Sequence, residues 1–487
     1  MLKYLKIIII LCLISSLARF VLDSYLPSLP GISQDFGIAD ASTQLTLTLY
    51  LLGFSFSQLV YGPLSDHYGR KVIILIGLSI FFVGNLACAL ATSPDLLLIA
   101  RFVAGIGAGS CGVLNRAIAS DCFKGAEFSK VWSYTTTSLV ITLCIAPVLG
   151  GYVQEFWGWR ANFMLSTLLV GCVLGMIVKF LPETSPKKIH AHVDKTTLSI
   201  NEILKNYKII FTTPSFLTSA LCYTLAFSGL IAYFQVSPLL FINGLGLSPS
   251  QYGWCSLVIA GNYFIGGLIV NKFACRFGTQ WLLVLGALLL IIGGSLMWFI
   301  YTLNDKSIST ILLPAAIYVI GARIVIPNAI AGSMEKLRHL NGSSSALIGF
   351  IQMLGSSLIS LAISSFDNTS TLPLAIFLTS IGCVTLYLSL FIIKRKLVSI
   401  IDKIIRMANW LVIESFKTCQ LIEFNIRYLC QIAMIMFWMS LYSILFVCCR
   451  RNAKLYCLTK KIEEICRCVN CQYISIKPIT LEVFNEK

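Results

Sequence analysis

The sequence predicts an all-α polytopic membrane protein, with twelve transmembrane helices in two six-helix bundles and an atypical C-terminal extension. Of the 487 residues, 57% are hydrophobic and 12% are charged, whereas a soluble domain carries about 25% charged residues. So little polar surface excludes soluble enzymes and disordered proteins. The net charge of +16 lies in short gaps between apolar runs. We therefore expect a lipid bilayer around the chain and no nucleic-acid partner.

Twelve apolar runs are each long enough to cross the hydrocarbon core, which takes about 20 helical residues. Spans 1 to 12 are predicted at 7–29, 42–61, 72–92, 95–118, 129–153, 161–181, 214–242, 250–270, 280–302, 309–333, 342–365 and 371–393. The predicted domains are an N bundle at 1–181, a cytoplasmic linker at 182–213, a C bundle at 214–393 and a tail at 394–487.

Basic residues cluster in every second gap between the spans, and the opposite gaps hold only Arg160 and Lys306. This asymmetry predicts a cytoplasmic N-terminus. Span 1 is too long for a signal-peptide core and contains Arg19 and Asp23, so we expect it to be retained.

A faint internal repeat relates the two bundles. Phe36-Gly37 before span 2 is similar to Leu245-Gly246 before span 8, and His67-Tyr68-Gly69 is similar to Arg276-Phe277-Gly278, in both cases 209 residues later. Repeated helical halves indicate a transporter whose site lies between them at the membrane midplane.

The gap between spans 2 and 3 reads Gly62-Pro-Leu-Ser-Asp66-His-Tyr-Gly69-Arg70-Lys71. Its glycines permit close helix approach and a tight turn, and its carboxylate can cap a helix or pair with a cation. The plainer interpretation is a charged turn on the cytoplasmic side. This run resembles the signature loop of the major facilitator superfamily, although that family usually has Arg at the position of His67.

Further segments resemble the Bcr/CflA-type multidrug/proton antiporters within that superfamily, and together the resemblance covers residues 5–395. Span 4 has Ala104 where the family commonly has Gln, and span 5 has Ala146 where it has Gly. The matching segments are Leu22-Asp23-Ser-Tyr-Leu-Pro27-Ser-Leu-Pro30, Arg101-Phe-Val-Ala-Gly105-Ile-Gly107-Ala108, Ala146-Pro147-Val-Leu-Gly150-Gly151, Gly158-Trp159-Arg160, Pro327-Asn328-Ala329, Ser345-Ala346 and Gln352-Met353-Leu354.

The resemblance implies a non-enzymatic, proton-coupled exporter of small hydrophobic or cationic compounds that works by alternating access. It also implies a bacterial inner-membrane location, a monomer, and no cofactor, because the proton gradient is the energy source. The partners would be protons and a small-molecule substrate. Two alternatives stay open: a carrier for one metabolite or nutrient on the same fold, and a non-transporting receptor or scaffold.

Ionisable groups at bilayer depth are expensive and therefore functional candidates. Desolvation would disfavour the charged form of Asp23, which suits a group that binds either a proton or a substrate. A permanent ion pair with Arg19, four residues earlier, is the alternative. The resemblance assigns proton coupling to Arg101, with snorkelling as its alternative. Arg323 either favours anionic substrates or pairs with Asp23 or a carbonyl.

The remaining candidates follow from the same motifs and from polar or aromatic residues inside apolar spans; no catalytic group or metal site is expected. The predicted loop and gating residues are Gly62, Asp66, Gly69, Arg70 and Arg116, the antiporter motif is Ala146, Pro147, Gly150 and Gly151, and the predicted cavity residues are Tyr50, Phe54, Tyr233, Phe234, Asn262, Arg323, Asn328 and Gln352.

The tail fits no twelve-span transporter. Residues 397–426 predict an interfacial amphipathic helix, and 428–449 are apolar enough to span although the charge pattern opposes a crossing. Cys466, Cys468 and Cys471 do not follow a standard zinc spacing, so unpaired cysteines are the favoured interpretation.

Overall fold

The computed structural model describes residues 2–185, 200–303, 307–334, 341–366 and 370–394. Within these residues all regular secondary structure is helical. The predictions for the tail, at 397–426, 428–449 and its cysteines, lie outside the described residues.

Span 1 is the most irregular helix of the N bundle, because two prolines interrupt its outer end. Its α-helix ends before a short 3₁₀ turn that contains Pro27, and a second helix begins beside Pro30. The helices of the N bundle are Leu2–Ser24, Leu29–Phe36, Asp40–Tyr68, Arg70–Ala89, Pro94–Cys122 and Gly125–Phe180, the last of which holds both span 5 and span 6.

The C bundle follows a short helix, Ile200–Phe211, at the end of the predicted linker. Span 7 ends in a π-helical turn after Pro238, and span 8 begins with a capping box in which Ser248 and Gln251 satisfy each other's free backbone N–H groups. The helices of this bundle are Pro214–Pro238, Leu239–Gly244, Pro249–Thr302, Ile308–Met334, Asn341–Ser364 and Leu372–Lys394.

Eleven described helices have the length and composition to cross a membrane. One of them, Lys130–Phe180, has 51 residues and would be about 76 Å long at 1.5 Å per residue, which is two crossings. Gly158 breaks it with φ of 78°. The described residues therefore supply twelve crossings at the predicted places, and the chain is a multi-pass membrane protein.

Backbone geometry supports the predicted repeat. Gly37 and Gly246 both have left-handed φ values, of 62° and 71°, and Gly69 and Gly278 follow with 99° and 75°. Residues with a Cβ avoid such conformations, so the same backbone requirement explains why glycine recurs after 209 residues.

Hydrogen bonds join the two bundles in the half of the molecule away from the loop between spans 2 and 3. Asn243 donates to Asp40 at 3.2 Å, and Gln235 donates to the side-chain oxygen of Gln44 at 3.3 Å. The Thr48 and Ser360 hydroxyls lie 2.6 Å apart. These contacts connect span 2 with spans 7 and 11.

Candidate functional site

The carboxyl group of Asp23 is buried in span 1, with 1% of the residue exposed. Its Oδ2 accepts a hydrogen bond from Arg19 Nε at 2.6 Å, so the predicted alternative, an i to i+4 ion pair, is present. Its Oδ1 is buried without a hydrogen-bond partner among the described residues. The Arg19 guanidinium also lies 5.6 Å from the Phe234 ring in span 7. The carboxylate thus keeps one oxygen that can take a proton.

Arg101 is fully buried about two turns into the helix Pro94–Cys122 of span 4. Its guanidinium lies 4.2 Å from the centre of the Tyr25 ring and 4.4 Å from that of Tyr50, and Nε donates to the Thr46 carbonyl at 3.4 Å. A Cβ on Gly105 would overlap the Tyr50 carbonyl oxygen, so the glycine of the span-4 motif lets span 2 approach. The side chain does not reach the membrane surface, unlike a snorkelling arginine.

Tyr25 and Tyr50 connect Arg101 with span 1. The Tyr25 and Thr46 hydroxyls lie 3.1 Å apart, and Tyr50 donates to the Ala18 carbonyl at 3.3 Å. Asp23 lies between Ala18 and Tyr25 in the sequence. Even so, no carboxylate of the described residues forms an ion pair with Arg101. The aromatic rings and a carbonyl, rather than Asp23, therefore stabilise this cation.

Ionic contacts hold the signature loop on the inner side. Arg70 pairs with Asp66 at 2.6 Å and with Asp121 at 2.8 Å. Glu183 accepts a hydrogen bond from the Arg70 backbone N–H at 2.9 Å, and a Cβ on Gly69 would overlap the Glu183 carboxylate. The acidic residue beyond span 6 thus caps the first turn of span 3.

Sequence reasoning did not identify Asp121 and Glu183 as part of this loop. The available signal was their position, since both are acidic residues at the ends of spans that border gaps dominated by basic residues. Arg116, grouped with the loop from the sequence, forms no ion pair there and lies 5.2 Å from the Trp132 ring in span 5.

The span-5 motif lies where three helices meet. A Cβ on Gly150 would overlap the Ser24 carbonyl in span 1, and a Cβ on Gly151 would overlap the Pro249 carbonyl in span 8. A Cβ on Gly253 would come within 2.8 Å of the Pro147 carbonyl. Ala146 is fully buried. Small residues on both helices therefore bring the bundles into contact along spans 5 and 8.

The predicted cavity residues occupy different environments. Asn262 and Asn328 each donate to the carbonyl four residues earlier in their own helix, at 2.9 and 2.7 Å. The Tyr233 and Phe234 rings pack edge to face at 5.5 Å. Phe54 packs on Tyr50 with ring centres 6.3 Å apart, Gln352 accepts a hydrogen bond from Tyr223, and Arg323 lies over the Tyr263 ring.

The two residues proposed from sequence for proton coupling thus share one buried region of the N bundle, whereas the cavity candidates are spread over both bundles. Phe56 and Phe350, with ring centres 5.9 Å apart, connect spans 2 and 11 toward the inner side. The bond between Asn243 and Asp40, together with the contacts of span 2 with span 11, joins the two bundles.

Comparisons with known proteins agree with this architecture. Residues 10–360 match the Major Facilitator Superfamily. Multidrug resistance protein D of Escherichia coli is 28% identical over 378 residues, covering 77% of this chain and 93% of that protein. The bicyclomycin resistance protein homolog of Haemophilus influenzae is 26% identical over 394 residues, covering 80% and 97%.

A solved structure supports the fold. The xylose transporter XylE from Escherichia coli, described as partially occluded and inward open, superposes with a TM-score of 0.64 at 16% identity, covering 80% of this chain and 97% of that one. The matched family, the twelve crossings and the paired glycines agree: this chain belongs to the Major Facilitator Superfamily.

Proposed function

We propose that this protein exports small, largely apolar compounds in exchange for protons, as a drug/proton antiporter of the Bcr/CflA type. Relatives of 26–28% identity carry names of multidrug, bicyclomycin and chloramphenicol resistance proteins, which supports a drug as substrate. The observation that carries the proposal is the Asp23 carboxyl group, buried, paired through one oxygen and without a hydrogen-bond partner at the other.

Proton binding at Asp23 is the proposed switch. When Asp23 is ionised, its charge balances Arg19, whose guanidinium faces Phe234 of the C bundle. A proton on the free Oδ1 would remove that charge and leave Arg19 uncompensated at the contact between the bundles. Protonation therefore changes the relative stability of the two access states, and this difference in proton affinity between states is the coupling.

Arg101 is proposed as a positioning residue for this switch. It contacts the rings of Tyr25 and Tyr50 within 4.4 Å, and Tyr50 in turn bonds to the Ala18 carbonyl in the same helix as Asp23. The bundles would then rock about the site, with the glycines of spans 5 and 8 in close contact at one seam.

The same proposal sets the cellular context. The chain would act as a monomer in a bacterial inner membrane with its N-terminus in the cytoplasm, and the proton gradient would supply the energy without a cofactor. The clustering of Lys and Arg in alternate gaps supports this orientation.

Inverted membrane vesicles test the proposal. With an acid interior established by respiration, addition of chloramphenicol or bicyclomycin should release protons through the wild-type protein and not through Asp23→Asn. Asp95→Asn is the matched control, because Asp95 is an exposed carboxylate at the outer end of span 4 and should leave the release unchanged. Equal proton release by Asp23→Asn and wild type would refute the coupling role of Asp23.

A further inference from the structure

Arg323 is a cation in the membrane interior without an acidic partner. It lies fifteen residues into the helix Ile308–Met334 and is half-buried. No carboxylate of the described residues lies within 4.0 Å of it, and its Nε is buried without a hydrogen bond there. Asp23, a buried acid of span 1, is paired with Arg19. An uncompensated cation at such depth is costly and is typical of an ion or substrate pathway.

Span 8 is shaped around this side chain. A Cβ on Gly266 would lie 2.8 Å from Arg323 Cβ, and a Cβ on Gly267 would lie 3.2 Å from its Nε. The Tyr263 ring covers one side of the guanidinium at 4.9 Å. Two adjacent glycines and an aromatic ring therefore form a seat for the arginine, and its remaining donors are available to an acceptor.

The internal repeat indicates which way Arg323 faces. Tyr263 corresponds to Phe54 after the 209-residue offset of the repeat, and Gly112 of span 4 packs on that Phe54, where a Cβ would lie 3.3 Å from the ring. Arg323 lies 211 residues after Gly112, within two residues of the repeat offset, and contacts Tyr263 as Gly112 contacts Phe54. Gly112 is exposed, and Gln58 beside it contacts Gly349 of the C bundle, so this face is turned toward the other bundle.

A second cation without an acidic partner lies in the inner half of the N bundle. Arg116 is half-buried against the Trp132 ring and forms no ion pair within the described residues. Tyr223 of span 7 donates through its hydroxyl to Gln352 of span 11 at 2.5 Å, so these two polar groups are paired within the C bundle.

We infer that Arg323 selects substrates that carry an anionic group, a carboxylate or sulfonate, on an aromatic body. This inference rests on the proposed export function and narrows its substrate class. The guanidinium fork matches two oxygens of a carboxylate or sulfonate, and Tyr263 supplies an aromatic face beside it. Export of an anion and entry of a proton both move net positive charge inward, so an inside-negative potential drives both.

The test is binding by the purified full-length chain in detergent micelles. The probes are 2-naphthoate, 2-naphthalenesulfonate and 2-naphthamide, which share a ring system and differ in charge. We expect both anions to bind at least about tenfold tighter than the amide, and Arg323→Gln to lose that factor for the anions alone. Arg276→Gln is the control, because Arg276 is an exposed arginine on the inner side. Arg323→Lys should keep the preference for anions and serves if the glutamine variant does not fold.

Equal affinities of the wild type for naphthoate and naphthamide would overturn the inference, as would an equal loss of both in Arg323→Gln. Vesicle measurements keep this result apart from the proposed function. If chloramphenicol still releases protons in an Asp23-dependent manner while anions show no preference, the anion inference falls and antiport stands. If no compound releases protons, antiport falls, and the binding preference still decides the role of Arg323.

Discussion

The two bundles hold their membrane-embedded arginines in opposite ways. Arg101 of the N bundle is fully buried between Tyr25 and Tyr50 and donates to a backbone carbonyl. Arg323 of the C bundle is half-buried, has Tyr263 on one side, and has a buried Nε without a partner in the described part of the chain. Nη1 and Nη2 of Arg101 are also buried without a hydrogen-bond partner among the described residues. The two sites therefore differ in enclosure: aromatic rings surround Arg101 and shield it from a ligand, whereas Arg323 has one ring contact and stays partly accessible.

Replacement of each arginine by lysine should give the largest difference between the two sites, in both transport and stability. Arg101→Lys should abolish proton-coupled transport and lower stability, because an ammonium cannot stack flat against two rings, and desolvated cation–π contacts are worth about 2 kcal/mol each. Arg323→Lys should keep transport, since a point charge still attracts an anion. Proton release in vesicles and thermal unfolding in micelles measure both effects.

Equal losses for Arg101→Lys and Arg323→Lys would contradict the distinction between the two sites. Lys272→Arg, on an exposed residue of the inner side, is the control for a basic exchange without consequence.

The sequence was sufficient to predict the crossings and the repeat, because both depend on local rules. Apolar runs of about 20 residues and glycines at left-handed positions are visible without any tertiary contact. Gly246 and Gly278 could thus be paired with Gly37 and Gly69 before their backbone angles were known. The resemblance to the family likewise depended on short motifs that can be recognised in the sequence.

The site was less accessible, because its partners come from distant spans. Asp121 meets Arg70 across 51 residues and Glu183 across 113, so sequence spacing carried no signal for either contact. Arg116 was grouped with the loop from its basic character, yet it lies against Trp132. Only the Arg19–Asp23 ion pair could be predicted from the sequence, as the alternative to a carboxyl group that binds a proton or a substrate. Residues four apart on a helix lie on the same face, so this contact is local.

The two bundles also differ in the loops at Gly69 and Gly278. The effect expected from this difference is smaller than that of the lysine exchanges. Arg70 beside Gly69 is bound by Asp121, with both side chains 12% exposed, whereas Arg276 near Gly278 is exposed and lies against its neighbour Phe277. Arg70→Gln should therefore lower the free energy of unfolding by about 1–3 kcal/mol, because it leaves Asp121 without its cation. Arg276→Gln should stay within about 0.5 kcal/mol.

Denaturation of the purified variants in micelles measures this difference. The Asp121→Asn variant closes the cycle, since the double variant Arg70→Gln/Asp121→Asn should cost less than the sum of the single changes. Simple additivity would mean that the 2.8 Å contact contributes nothing to stability.

The smallest expected effect concerns two tyrosine hydroxyls of the C bundle. Tyr223 donates to Gln352, so Tyr223→Phe should cost about 1 kcal/mol, because it leaves Gln352 without its donor. The Tyr318 hydroxyl is buried without a hydrogen bond among the described residues, so Tyr318→Phe should be neutral or stabilising, because it removes an unsatisfied polar group. Thermal unfolding of both variants decides the point. A loss of stability in Tyr318→Phe as large as that in Tyr223→Phe would contradict the distinction between a bonded and an unbonded buried hydroxyl.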